Sequence, residues 1–234
     1  MGFIINPYVY SSVFSSLYSV LLNGSTQYIN ADTVVENIKF EKGTYSMWIK
    51  FDGATSINAN FLKASVNGSN QISIAYINST SKFRFTYKGG GELQKAEVTT
   101  SEESAGNWTH LAMTWDTSAD ELKGYVNGSQ VGGTQSSLGV FEGTIDKCYF
   151  GKNTLADNSY FKGYIDEISI FDEVINMSNL YDSGTPIDVS ALSDLVGYWK
   201  MEEGTGTSTA DSSGTGSTGT LVNTPIWSST TPTD

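Results

Sequence analysis

A chain of 234 residues suits one all-β sandwich, a class that often runs past ~200 residues as a single domain, and it can fold without covalent staples. The balance of 25 acidic to 13 basic residues, a net charge of −12, argues against a nucleic-acid partner, because phosphate binding needs Lys and Arg; Arg84 is the only arginine. One cysteine, Cys148, excludes an internal disulfide framework, and one histidine, His110, excludes a histidine-based triad or a zinc site with paired histidines.

Residues 1–20 alternate aromatics with serines and lack turn residues. They predict an arm, either an added edge strand or a segment that docks on a partner. No basic residue precedes Lys39, and Asn6-Pro7 interrupts the apolar run, so a cleaved signal is not expected. Ser and Asn recur throughout, which argues against membrane insertion.

From Leu21 onward, strand-length runs alternate with Gly, Asn and Asp turns. Residues 44–51 put Tyr45, Met47, Ile49 and Phe51 on one face and Ser46, Trp48 and Lys50 on the other. Residues 71–77 repeat the pattern, and residues 82–88 place Phe83, Phe85 and Tyr87 inward with Lys82, Arg84, Thr86 and Lys88 outward. A period of two over seven residues is a strand and not a helix. Asn67-Gly68, Gly89-Gly-Gly91, Asn127-Gly128 and Gly132-Gly133 supply the positive φ that hairpin turns demand. Cys148, inside the run 147–151, reads as a buried small hydrophobe. Residues 178–184 form the one helix-like piece, with Ser178 as cap and Gly184 as stop. Beyond residues 195–204 lies a Gly/Ser/Thr tract, 205–220, which composition alone would make a linker.

The strings Asn107-Trp-Thr-His110, Tyr125-Val-Asn-Gly128 and Gly163-Tyr-Ile-Asp-Glu-Ile168, in that order and spacing, resemble the laminin-G-like (concanavalin A-like) jelly-roll family over residues 20–185. The resemblance implies a two-sheet antiparallel jelly-roll sandwich spanning residues 21–234 behind the arm at 1–20. Leu195-Val-Gly-Tyr-Trp-Lys-Met-Glu-Glu-Gly204, with Ala210-Asp-Ser-Ser-Gly214 and Gly219-Thr-Leu-Val222, is similar to the opening strands of such a domain, here placed last. Residues 195–234 either return to the same sandwich or begin a truncated second copy. So short a piece cannot bury a core alone, which favours the return.

The resemblance gives function only as a class, since this sandwich hosts lectins, glycan-binding modules, glycosidases and structural domains. Hydrolytic relatives carry Glu-x-Asp-x-x-Glu on one strand, and no such string occurs here. The pairs Glu102-Glu103, Asp166-Glu167 and Glu202-Glu203 are adjacent, so regular strands would turn their members to opposite faces. No enzyme is expected. The family further implies a structural calcium ion held by Asp166, with Asn23 and Gly24 supplying the partner loop; the alternative is a solvated acid on the outer sheet. Asn23 stands where relatives often have Asp. For sugars, Trp48, Trp115 and Trp199 fall in alternating strands and read as core. Trp108, Tyr125, Tyr160 and Tyr164 are the candidate glycan-binding residues, with Tyr149 able to extend such a surface. Of six Asn-x-Ser/Thr sequons, at Asn23, Asn67, Asn78, Asn107, Asn127 and Asn176, those at Asn23, Asn67 and Asn127 read as turns, and modification of the set is not expected.

Phe3-Ile-Ile-Asn-Pro-Tyr8 also resembles structural proteins of marine tailed phages. The expected function is therefore a non-enzymatic protein of the virion surface, a decoration or fibre component. Its arm would bind other virion proteins or sister subunits of a homo-oligomer, and its sandwich a host-surface glycan or protein. The alternative is an extracellular bacterial carbohydrate-binding module serving an enzyme on another chain. A β-glucan hydrolase stands third.

Overall fold

The computed structural model describes residues 15–233. Residues 1–14 of the expected arm lie outside the described residues, and its last two residues already belong to a strand. The chain begins with β1 (Ser19–Asn23), β2 (Tyr28–Asn30), β3 (Lys42–Phe51), β4 (Ala59–Asn67), β5 (Asn70–Ile77), β6 (Lys82–Gly89) and β7 (Glu92–Thr99). A single helical turn, α1 (Glu102–Ala105), leads into β8 (Thr109–Asp116), β9 (Glu121–Val126), β10 (Ser129–Gln135), β11 (Lys147–Phe150) and β12 (Lys162–Phe171). Last come β13 (Leu195–Trp199), β14 (Ser208–Thr209), β15 (Gly219–Val222) and β16 (Ile226–Ser228).

These strands form two eight-stranded antiparallel sheets, as the alternating runs predict. The first runs β10-β9-β8-β3-β12-β1-β16, with β13 also on β12; the second runs β14-β15-β2-β11-β4-β5-β6-β7. Residues 195–228 thus add two strands to each sheet. The Gly/Ser/Thr tract is not a free linker: the Asp211 carboxylate accepts the backbone N–H groups of Tyr198, Ser213 and Ser217, which folds the tract back on β13. No helix among the described residues is long and apolar enough to cross a membrane.

Between the sheets lie the inward halves of the alternating runs: Tyr45, Met47, Ile49, Phe51, Phe83, Phe85 and Tyr87 are all buried. Phe51 meets Phe61, Tyr76 and Phe161 edge-on at 5.8, 5.4 and 5.3 Å, the geometry favoured by ring quadrupoles. Gly124 lets the sheets approach here, since a Cβ on it would lie 2.2 Å from the Phe85 ring. Cys148 is buried in this core, and burial pushes its thiol pKa up.

The two outer faces differ. Residues 172–194 roof the first sheet, and Phe171, Met177, Leu180, Val189 and Tyr198 make a second, smaller core beneath them. Trp48 therefore points away from the main core yet is only 3% exposed, stacked on Tyr181 at 5.8 Å. The helix-like piece in this roof is one 3-10 turn, Met177–Asn179, capped by Asn176 and not by Ser178; the Asn176 amide oxygen accepts the Ser178 N–H.

Candidate ligand-binding face

On β4 to β7, Leu62, Ile74, Phe85 and Ala96 pair across the strands and face the core, so their chain neighbours form the outer row. That row reads Tyr149–Lys63–Ser73–Thr86–Lys95 from β11 to β7. Beside it lie Ser65–Gln71–Lys88 and Ala75–Arg84–Glu97. Lys63, Gln71, Ser73, Arg84, Thr86 and Lys88 of these rows line a shallow depression of about 220 Å³. Its rim residues Asn58 and Ser159 also border a cleft of about 560 Å³ among the loops at Ser25, Asn78 and Tyr160.

The cations of this face are unequally partnered. Arg84 Nε donates to Glu97 at 2.6 Å, with Lys82 at 3.3 Å and Lys95 at 3.8 Å from the same carboxylate. Burial opposes ionisation of Glu97, but the hydrogen bonds from Arg84 and Lys82 prevail and hold its pKa below the ordinary range. Lys63 is 7% exposed, and its ammonium donates to Asn153 Oδ1 at 3.0 Å. Burial, with the charge of Lys88 adding to it, pushes the Lys63 pKa down to about 8. Beyond Asn153, Lys152 sits 4.7 Å from the Tyr28 ring centre, 5.2 Å from Tyr160 and 5.9 Å from Tyr149, and pairs with Asp157 at 3.0 Å. Rings, amides, hydroxyls and cations thus converge on one open face.

The four residues expected to bind sugar do not make one patch. Trp108 and Tyr164 meet on the outer side of the first sheet, ring centres 6.1 Å apart, with Lys50 5.9 Å over Tyr164. Tyr125 lines a groove there with Gly128, Asn176 and Met177. Tyr160 is buried at 8% exposure beside the second sheet and donates its hydroxyl to Asp157. Lys63, Asn153 and Tyr28 escaped the sequence reading. The signal available was a lone lysine inside the apolar run 61–66.

The residues expected to hold calcium are not brought together. Asn23 pairs with Lys162, whereas Asp166 lies one step beyond the Val20–Ile165 pair, so four residues, about 13 Å of strand, separate them. The Asn23 carboxamide oxygen accepts the N–H groups of Ser25, Thr26 and Gln27 and closes its own turn at Gly24. Asp166 is not a solvated acid either; it is fully buried, with the Ser16 hydroxyl 2.9 Å from its Oδ2 and 3.0 Å from Glu202 Oε1. Among the described residues, no group of three or more His, Cys, Asp or Glu is placed to hold a metal ion. His110 is buried and neutral, its Nε2 2.8 Å from Ser46 Oγ and its pKa pushed down by burial to about 3.

Two sheets with a polar outer face of this kind define a lectin-like sandwich. Residues 23–180 match the family model described as the concanavalin A-like lectin/glucanases superfamily, and the chain belongs to that family. No curated protein matches it. Among solved structures it is similar to a candidate carbohydrate binding protein from Bacteroides ovatus, at 16% identity and TM-score 0.64, over 91% of this chain and 62% of that one. It is also similar to the CBM40 of a Ruminococcus gnavus IT-sialidase bound to α2,3-sialyllactose (14%, TM-score 0.57, 70% of this chain, 96% of that one). The NanB sialidase of Streptococcus pneumoniae is similar over 69% of this chain and 27% of that one (20%, TM-score 0.55). At these identities the likeness shows the fold.

Proposed function

We propose that the chain is a non-catalytic carbohydrate-binding domain whose ligand lies on the outer face of the second sheet. The observation that carries this reading is the open depression lined by Lys63, Gln71, Ser73 and Thr86, with Tyr149 on the strand beside Lys63. A ring face suits the C–H side of a sugar, and amides, hydroxyls and ammonium groups suit its oxygens. The likeness to a candidate carbohydrate binding protein and to a CBM40 supports the same reading. Against catalysis, the adjacent acids Asp166 and Glu167 are 0% and 4% exposed. The test is a glycan array with wild type and Gln71→Ala. Defined micromolar-to-millimolar binding, weakened by the substitution, is expected; an array without any specific signal sinks the reading.

The setting we favour is the surface of a virus particle, with residues 1–20 attaching the domain to other virion proteins or to sister subunits. Its support is the resemblance of residues 3–8 to tailed-phage structural proteins. Deleting residues 2–14 should abolish attachment and leave the sandwich folded; retained attachment refutes the arm's role. A bacterial carbohydrate-binding module is the second reading, favoured by the likeness to the bacterial domains. It predicts sugar binding with no particle association.

A further inference from the structure

We infer that this face selects acidic saccharides, with Lys63 as the anchor for a sugar carboxylate or sulfate. The inference rests on the carbohydrate-binding reading above and narrows its ligand class.

The argument begins with charge placement. The chain has nearly twice as many acids as bases, yet the outward charges of β4 to β7 are Lys63, Lys82, Arg84, Lys88 and Lys95 against Glu97 alone. Glu97 is already shared by Arg84, Lys82 and Lys95. Lys63 and Lys88 make no ion pair among the described residues; they donate to Asn153 Oδ1 at 3.0 Å and to the Gly68 carbonyl at 2.6 Å. Among the outward side chains of β4 to β7, no carboxylate is left to pair with these two lysines.

Burial sharpens the point. A lysine with 7% of its surface exposed has lost much of its hydration, and one amide oxygen on its ammonium replaces only part of it. Leaving a buried charge without a counter-ion is costly, and the cost falls when an anion arrives. The same low exposure makes attraction to that anion stronger than at a surface lysine. At neutral pH Lys63 still carries its proton, because its pKa is lowered only to about 8.

The surroundings fit a sugar better than a bare ion. Tyr149 and Ser73 flank Lys63 on paired strands, which places their Cβ atoms about 4.5–5.5 Å from its own. A ring stacked on Tyr149 would bring a substituent acid to Lys63, while Gln71, Ser73 and Thr86 would meet its hydroxyls.

The test is an array that pairs uronate-bearing, sialylated and sulfated glycans with their neutral parents, followed by titration calorimetry on the best pair. Wild type is expected to prefer the acidic member by tenfold or more, and whether carboxylates or sulfates lead identifies the acid. Lys63→Met should erase that preference, and Lys63→Arg should keep it. Should Lys63→Met fail to fold, Lys88→Met on the rim should still lower the acidic-to-neutral ratio. Equal binding of acidic and neutral members by wild type overturns the inference and leaves carbohydrate binding standing. Preference retained in both methionine variants overturns it too. Silence across the array removes both readings together.

Discussion

Asp166 and Glu167 are chain neighbours in β12, yet both point to the outer side of the first sheet. The register explains it: Asp166 pairs with Trp48 and Ser169 with Ser46, so two residues of β12, Glu167 and Ile168, oppose Met47 alone. This β-bulge leaves Ile165 and Ile168 both in the core, and Glu167 takes up the extra residue at φ +49°. The expectation that adjacent acids must face opposite ways is therefore corrected here. The two carboxyls are buried side by side, with one oxygen of Glu167 lacking a hydrogen-bond partner.

That pair gives a pH prediction. Burial is the main cause that pushes the Glu167 pKa up to about 8, against a hydrogen bond from the Tyr198 hydroxyl that lowers it; burial and the Glu167 charge raise Asp166 as well. The ordinary value for Glu is 4.5. Between pH 4.5 and 8 the unfolded chain binds fewer protons than the folded one, so stability falls as pH rises through that window. The contribution is complete below the lower limit and lost by the upper, on the order of a few kcal/mol. Glu167→Gln removes the titration while keeping an acceptor for Tyr198. Its Tm, followed by circular dichroism from pH 5 to 8.5, should fall less than that of wild type. A parallel decline in both proteins would contradict the assignment.

Lys63 titrates with the opposite sign. Its folded pKa of about 8 lies below the ordinary 10.5, so the unfolded chain holds the extra proton between those limits and stability rises with pH there. At neutral pH the buried charge costs the fold on the order of 1–3 kcal/mol. Lys63→Met should therefore raise stability at pH 7, by urea denaturation, while removing the preference for acidic sugars. A residue that weakens the fold and carries the ligand is the signature of a binding role. Marked destabilisation at pH 7 would instead make Lys63 a structural strut.

What the sequence made legible follows from what alternation encodes. Residues 44–51 and 82–88 display their inward and outward halves in one dimension, and both appear in the sheets as read. Alternation does not say what covers an outer face. Trp48 reads as core yet lies under the roof, because residues 172–194 carry no periodic pattern that announces where they pack. A bulge is likewise a property of two paired strands, so Glu167 gave no local sign. The dispersal of Trp108, Tyr125, Tyr160 and Tyr164 has a related origin: Tyr125 and Tyr164 lie on separate strands of the first sheet, whereas Trp108 and Tyr160 sit in the loops before β8 and β12, which no alternation places. Lys63 was visible as a charge in an apolar run, and only its pairing with Tyr149 and Ser73 gave it a setting.

Gly124 tests how tightly the sheets meet. An added Cβ would press on the Phe85 ring at 2.2 Å, and neither strand can withdraw without breaking its ladder. Gly124→Ala should cost about 1–3 kcal/mol, the usual range for an overpacked core. Phe85→Leu alone should also destabilise, by opening space. The double variant should recover part of the sum, because the methyl occupies volume the ring vacated. Strict additivity in urea denaturation would mean that the two positions do not touch.

The last prediction decides between the two outer faces. Trp108 and Tyr164, with Lys50, form a rival aromatic surface built by residues expected to bind sugar, and Tyr164 is half-buried. Lys50 is half-buried whereas Lys63 is buried, so that surface holds the less desolvated charge. Tyr149→Ala should weaken glycan binding tenfold or more, as loss of a stacking ring from a small contact surface does. Tyr164→Ala should change it less than twofold. Both side chains are half-buried on outer faces, so neither change should lower Tm by more than a few degrees. The reverse pattern, with Tyr164→Ala the damaging variant, would move the site to the first sheet and strip Lys63 of its assigned ligand.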